Sequence, residues 1–349
     1  MKKKKKLLKY TIFLILFLTA AIFIATCVGS ANISIRETLS ILIKKIPYFG
    51  SRIKTFQTVS PKNEIIITQI RLPRIISSII VGFVLAAAGV IYQGIFRNPM
   101  ADPYIIGVSS GASLGATIAF FLGLGTGLLG ISAVSIMAFI GAIIAVLAVY
   151  QLAKLGERVP ISNLILAGIA IGALINSIVY FLLIAKTDDM QKIIFWMLGG
   201  FTTANWDKIG VLLIPILLTF FTTFFFLREL NILTLGDTRA TQLGVNVERL
   251  KRILLIIASL LAALGVAIGG LIGFIGLITP HILRLIVGSD NRILYPTSAL
   301  AGSIILLFSD TIARTITSPR EIPVGIITAA IGAPFFIYLM KRKGREVFK

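Results

Sequence analysis

The chain has 349 residues, 57% hydrophobic and 14% charged, with a mean hydropathy of +0.97. Soluble domains carry about 25% charged residues, so this composition excludes an ordinary soluble fold. The net charge of +20 comes without any motif that reads DNA or RNA, which argues against nucleic acid as a partner. A single cysteine, Cys27, and a single histidine, His281, exclude an intrachain disulfide framework and a zinc cluster.

Lys2 to Lys6 and Lys9 precede an apolar run over 10–28. Ile24-Ala25-Thr26-Cys27 faintly resembles a lipoprotein leader. The run is span-length, however, and Thr26 suits no cleavage site, so it reads as an uncleaved first helix. The stretch 30–70 carries Arg36, Lys44, Lys45, Arg52, Lys54 and Lys62, and its amphipathic pattern around Ile33 to Ile46 predicts a surface helix. Further apolar segments follow at 75–92, 104–122, 130–153, 161–185, 209–227, 253–271, 272–288, 294–313 and 323–340. The weakest is 272–288, which is short and contains Pro280.

Runs of about 20 apolar residues match the hydrocarbon thickness as helices, and the alternation of a membrane barrel is absent. The reading is an all-α polytopic bundle of about ten transmembrane helices in one domain, 1–349. Basic residues beside spans mark the cytoplasmic side. They cluster in the tail 1–9, at Arg228, Arg239, Arg249, Lys251 and Arg252 in the loop 228–252, and at Lys341, Arg342, Lys343, Arg345 and Lys349. Both termini and that loop are therefore expected inside, and 30–70 outside, although the cations of 30–70 run against the rule.

Small residues recur at four-residue spacing: Gly107, Gly111 and Gly115; Gly168 and Gly172; Gly265, Gly269 and Gly273. Such ridges let helix backbones approach closely in lipid. Leu85-Ala86-Ala87-Ala88-Gly89-Val90 resembles Leu261-Ala262-Ala263-Leu264-Gly265-Val266 on helices expected to run in opposite directions, as in an inverted repeat.

Gly107-Val108-Ser109-Ser110-Gly111 fits the nucleophile-elbow pattern, which would give an intramembrane hydrolase with His281 as base, but the strand–turn–helix context is not predicted. No P-loop and no Gly-Lys pair occur, so ATP would have to act through another subunit. Asp310 is the one strong intramembrane acid, and Arg314, one turn later, is its expected partner rather than a proton path. Gly236 to Arg249 has helix-cap residues and two glycines, which predicts two short helices outside the bilayer, suited to a cytosolic partner.

Four stretches then carry a family resemblance. The first is Arg71-Leu72-Pro73-Arg74 with Gly89, Gln93 and Arg97-Asn98-Pro99-Met100-Ala101-Asp102-Pro103. The second is the loop from Gly236 to Arg249. The third is Gly273-Phe274-Ile275-Gly276-Leu277-Ile278-Thr279-Pro280-His281-Ile282-Leu283-Arg284. The fourth is Asp310 and Arg314 with Glu321-Ile322-Pro323-Val324-Gly325 and Gly332-Ala333-Pro334-Phe335-Phe336. In this order they resemble the FecCD-type permeases of ABC importers for iron siderophores, haem and cobalamin, over the chain from about residue 65 onward. Met100 stands where leucine is commoner in that motif.

The resemblance implies a cobalamin-permease-like bundle in the cell membrane, without a cofactor or an ATPase site of its own. The partners it implies are an ABC ATPase dimer, a second permease subunit (identical or paralogous) and an extracytoplasmic substrate-binding protein. It assigns Gly236, Asp237, Arg239, Ala240, Leu243, Gly244 and Val245 to ATPase coupling, and Arg71, Arg74 and Arg314 to docking of the binding protein. Ferric siderophore is the favoured cargo, with cobalamin, haem and molybdate open. A secondary transporter is the competing reading.

Overall fold

The computed structural model describes residues 2–29, 31, 33–44, 60–125 and 131–347. Among the described residues, fifteen α-helices form one bundle. They are α1 (Lys2–Cys27), α2 (Ile35–Lys44), α3 (Pro61–Ile65), α4 (Leu72–Phe96), α5 (Val108–Phe121), α6 (Ala133–Ala153), α7 (Ile161–Ala185), α8 (Met190–Met197), α9 (Trp206–Thr223), α10 (Leu227–Leu233), α11 (Asp237–Gln242), α12 (Val247–Gly269), α13 (Ile275–Val287), α14 (Asn291–Ala313) and α15 (Val324–Val347). No strand is present among the described residues, so the nucleophile-elbow context is missing; Gly107–Gly111 forms a loop-to-helix junction instead.

Seven helices are long and apolar enough to cross a membrane, and three more, in α5, α13 and α15, are apolar but shorter. They coincide with the ten predicted segments. The second is longer than expected, because α3 and a π-helical stretch, Ile66–Arg71, run straight into α4. Pro73 has no N–H to donate, and the wider turn just before it, where Leu72 N donates to Ile67 O, absorbs that irregularity.

α4, α12 and α14 are buried over most of their length, whereas α1, α7 and α9 turn much of their apolar surface outward. The helices alternate in direction. Lys186, after α7, donates to Phe121 O at the end of α5 (2.9 Å), and Lys208, starting α9, donates to Ile268 O near the end of α12 (3.0 Å). At the opposite end, Arg252 of α12 donates to the hydroxyl of Tyr150 on α6 (2.9 Å), and Glu248 accepts from Val159 N (3.0 Å). The ends are named below for their contents: the arginine end, with Arg71, Arg74 and Arg314, and the loop end, with α10 and α11. α1 ends and α15 begins at the arginine end.

The two resembling hexapeptides face each other on antiparallel α4 and α12. The Tyr92 and Ser259 hydroxyls are 2.8 Å apart, and a Cβ on Gly265 would meet Val84 at 2.9 Å. Gly111, Gly115 and Gly265 sit at close helix approaches, as Gly111 does against the Gly141 carbonyl, and Gly168 and Gly269 press on loop residues, but Gly107 and Gly172 make only ordinary contacts and Gly273 faces open space, so these three depart from that expectation. The predicted surface helix is α2. Its Ile41 packs with Ile33 and Ile67, while Glu37 accepts from Ser60 N and Asn63 and Lys44 pairs with Glu64 (3.1 Å). Lys45, Arg52, Lys54 and Lys349, used above as topological charges, lie outside the described residues.

Candidate functional site

At the arginine end, α4 and α14 pack side by side. Arg74 donates from Nε and Nη2 to Asp310 (3.0 and 2.9 Å) and from Nη1 to Glu321 Oε2 (2.7 Å). The Asp310 side chain is completely buried, whereas that of Glu321 is 35% exposed. Such pairing is required physically, because an unpaired charge at this depth costs several kcal/mol. The expected Asp310–Arg314 pair is present, but it is the longer of the two arginine contacts to Asp310. Arg314 Nε stands 3.9 Å from Asp310, and its Nη2 turns to the Ala25 carbonyl of α1. Arg71 likewise spends its donors on the end of α1, at Thr26 O (2.8 Å), and on Ala31 O just beyond it, with Gly29 leaving room for the guanidinium.

All three predicted docking arginines are thus brought to one place, but none stands free. Each is buried and bound within its own chain. The cations of this end have a common physical origin. Arg71, Arg314, Lys186 and Lys208 sit on the last carbonyls of α1, α5 and α12, where the helix dipole is negative and orphan acceptors need donors. Positive charge at this end is therefore matched by helix-end acceptors.

Beside Arg74 lies a cavity of about 410 Å³, lined among others by Lys192, Trp196, Phe201, Thr202, Thr203 and Glu321. Its floor is held by backbone bonds from Val324 N to Gly199 O (3.0 Å) and from Gly200 N to Gly269 O (2.8 Å). Sequence reasoning missed α8 and this cavity. An eight-residue helix leaves too short a periodic trace, and the cavity joins segments far apart in the chain.

At the loop end, the two short helices expected within Gly236–Arg249 are corrected to one: α11 lies there, α10 precedes the stretch, and from Val247 the chain is already in α12. Gly236 takes φ +110 ahead of α11 and Gly244 takes φ +81 after it, both left-handed positions that favour glycine. Asp237 ties the loop down. It accepts from Lys251 (2.7 Å) on α12 and pairs with Arg97 (3.4 Å) at the end of α4. Arg239, Leu243 and Gly244 are exposed and Val245 is half-buried. Ala240 is completely buried, so its methyl anchors α11 to the bundle rather than facing outward.

The third motif packs against the first. Gln93 donates to Leu277 O (2.9 Å) and accepts from Arg284 (2.8 Å), and a Cβ on Gly89 would stand 1.8 Å from the Gly276 carbonyl. The four motifs, distant in sequence, thus converge on α4: motif three along its length, motif four at one end and motif two at the other.

A bundle of several membrane-length apolar helices, polar only at its two ends and at a few internal ties, defines a multi-pass membrane permease. The family model of the FecCD transport family matches residues 15–342. The chain belongs to that family, and the likeness begins well before the residue 65 inferred from the motifs.

The chain is 42% identical over 285 residues to the cobalamin import system permease protein BtuC of Halobacterium salinarum, covering 81% of this chain and 75% of that one. It is 40% identical over 280 residues to the hemin transport system permease protein HmuU of Yersinia pestis, covering 79% and 83%. A solved structure, titled as an inward-facing conformation of a metal-chelate type ABC transporter, superposes with a TM-score of 0.80 at 31% identity, covering 96% of this chain and 99% of that one. The chain is accordingly an ABC importer permease of the cobalamin, haem and metal-chelate group, a subunit that works with an ATPase partner and a second permease.

Proposed function

We propose that this permease moves a ferric siderophore inward, with cobalamin and haem as the alternatives its relatives suggest. Both termini and the α10–α11 loop face the cytoplasm, and the arginine end faces outward. ATP is hydrolysed on the separate ATPase subunits, which engage the exposed side of α11 around Arg239, Leu243, Gly244 and Val245. An extracytoplasmic binding protein delivers the chelate to the arginine end, where Arg71, Arg74 and Arg314 lie together.

The observation that carries this reading is the connection through α4. One buried helix is ionically tied to the α11 loop by Arg97 and to the opposite end by Arg74. ATP binding can shift the permease between two arrangements only through differential contact with each. A rigid element fastened at both ends gives such contact a route across the bilayer.

The test is uptake into proteoliposomes holding this chain, its ATPase and its binding protein, with ATP inside. Ferric siderophore, cyanocobalamin and haem are compared. ATP-dependent accumulation of cobalamin or haem in preference to the siderophore would replace the cargo assignment. Accumulation of none would refute import of this class.

A further inference from the structure

Asp310 and Glu321 share Arg74 unequally. Asp310 is wholly buried and takes the Nε and Nη2 edge of the guanidinium, so that pair is permanent. Glu321 takes the remaining Nη1 donor from the α14–α15 connection, and its carboxylate is partly in water. The backbone on either side is fixed independently, by Arg320 N to Thr317 O (3.0 Å) before it and Ile322 N to Ala313 O (3.1 Å) after it. The Glu321 side chain can therefore leave Arg74 without the segment coming apart. Both residues line the 410 Å³ cavity, so there is room for another group to reach the vacated donor.

The local charge favours an acid. Arg71, Arg74 and Arg314 face only two carboxylates, Asp310 and Glu321, in this cluster, and Lys192 on the cavity wall is already paired with Asp189 (2.9 Å). A surplus cation behind a half-exposed carboxylate is complementary to an incoming carboxylate.

We propose that Glu321 is an internal competitor for Arg74: it occupies Nη1 until a carboxylate of the extracytoplasmic binding protein takes its place, and it returns to help that protein leave. This rests on the outward orientation and binding-protein partner proposed above. Glu321 then sets the lifetime of the docked complex, since exchange of one charge pair for an equivalent one costs little, whereas capture by a vacant cation would be hard to reverse.

The experiment uses the assembled transporter in nanodiscs. The probe is the binding protein retained by the affinity-purified wild-type transporter, produced separately and stripped of cargo, so that no carboxylate of a chelate contributes. Dissociation rates are measured by surface plasmon resonance. Glu321→Gln and Glu321→Ala should both slow dissociation, by about three- to fivefold for a partly exposed pair. Arg74→Lys keeps a charge on Asp310 but lacks a second edge to share. It should speed dissociation, and adding Glu321→Gln to it should change nothing further.

Unchanged or faster dissociation in both Glu321 variants, with Arg74→Lys still weakening the complex, would overturn the competitor role and leave docking at the arginines standing. Unchanged binding in Arg74→Lys would overturn docking at Arg74 and the proposal with it. A wild-type transporter that retains no binding protein would sink the importer reading itself.

Discussion

Arg74 and Arg97 terminate the same helix. Arg74 lies in the first turn of α4, bound to Asp310, and Arg97 is its C-cap, bound to Asp237 of the loop. The 25 residues of α4 span about 37 Å at 1.5 Å per residue, enough to cross a hydrocarbon core of about 30 Å. Close-packed interiors transmit displacement rather than absorb it. A shift of the loop therefore reaches the arginine end through a single rigid element, and the ionic tie at each end becomes a point at which the coupling can be cut.

Cutting the arginine end should first cost stability. Asp310→Asn leaves Arg74 with Glu321 alone and removes the countercharge from the interior. Breaking a buried pair costs about 3–5 kcal/mol. The expected outcome is a sharp loss of monodisperse protein in fluorescence-detected size exclusion, with a lowered unfolding temperature in what remains. Since replacing both charges by apolar groups is often tolerated, Arg74→Met combined with Asp310→Leu should restore much of the yield without restoring transport. Full yield in Asp310→Asn alone would show that the pair is not structural.

The α4–α13 contact should be intolerant of a single methyl. A Cβ on Gly89 would overlap the Gly276 carbonyl, whereas one on Gly273 meets nothing within 4 Å. Overpacking of this kind costs about 1–3 kcal/mol or more. Gly89→Ala should lower the thermal midpoint of the detergent-solubilised protein by several degrees, and Gly273→Ala should leave it within error. Equal midpoints for the two would contradict the close approach.

The apolar segments were legible because span length and hydropathy are local properties, and α2 was legible from Ile33 and Ile41 on one face. The ion pairs were less so. Asp310 keeps its local partner Arg314 at i+4 only at 3.9 Å, while its hydrogen bonds come from Arg74, 236 residues away in the sequence. No spacing rule shows that Arg314 also reaches the end of α1. Lys208 illustrates the same limit. No local pattern singles it out, yet it is buried on the Ile268 carbonyl. The burial of Ala240 was not legible either, since a short polar loop sequence does not show which side of α11 meets the bundle.

At the loop end, Asp237→Asn removes the countercharge of Arg97 and leaves Lys251, whose side chain is only 5% exposed, with the longer pair to Glu248 (3.4 Å). A hydrogen bond to a charged group is worth about 1.5–3 kcal/mol, so α11 should loosen while the membrane helices stay folded. Normal expression and insertion are expected, with ATP hydrolysis by the assembled complex retained but uptake reduced. Asp237→Glu should recover part of the uptake. Wild-type uptake in Asp237→Asn would remove this tie from the coupling route.

The outer surface of α11 can be separated from its anchor by two classes of substitution. Leu243 is 61% exposed and Ala240 is fully buried, although they lie three residues apart. Leu243→Arg adds charge to a surface already in water, so the permease should fold, insert and purify normally. If the loop carries ATPase contact, the variant should retain less ATPase on co-purification and lose uptake. Ala240→Glu instead places a carboxylate in a closed apolar site, a cost of several kcal/mol. It should release α11 and expose the neighbouring backbone to protease. Gly244→Ala tests the remaining alternative: space around it is open, so any loss comes from holding alanine at φ +81, a penalty of about 1–2 kcal/mol. A coupling surface predicts that Leu243→Arg impairs ATPase retention with no change in proteolysis, while Ala240→Glu impairs both. Full ATPase retention in Leu243→Arg would show that the exposed side of α11 is not where the ATPase binds.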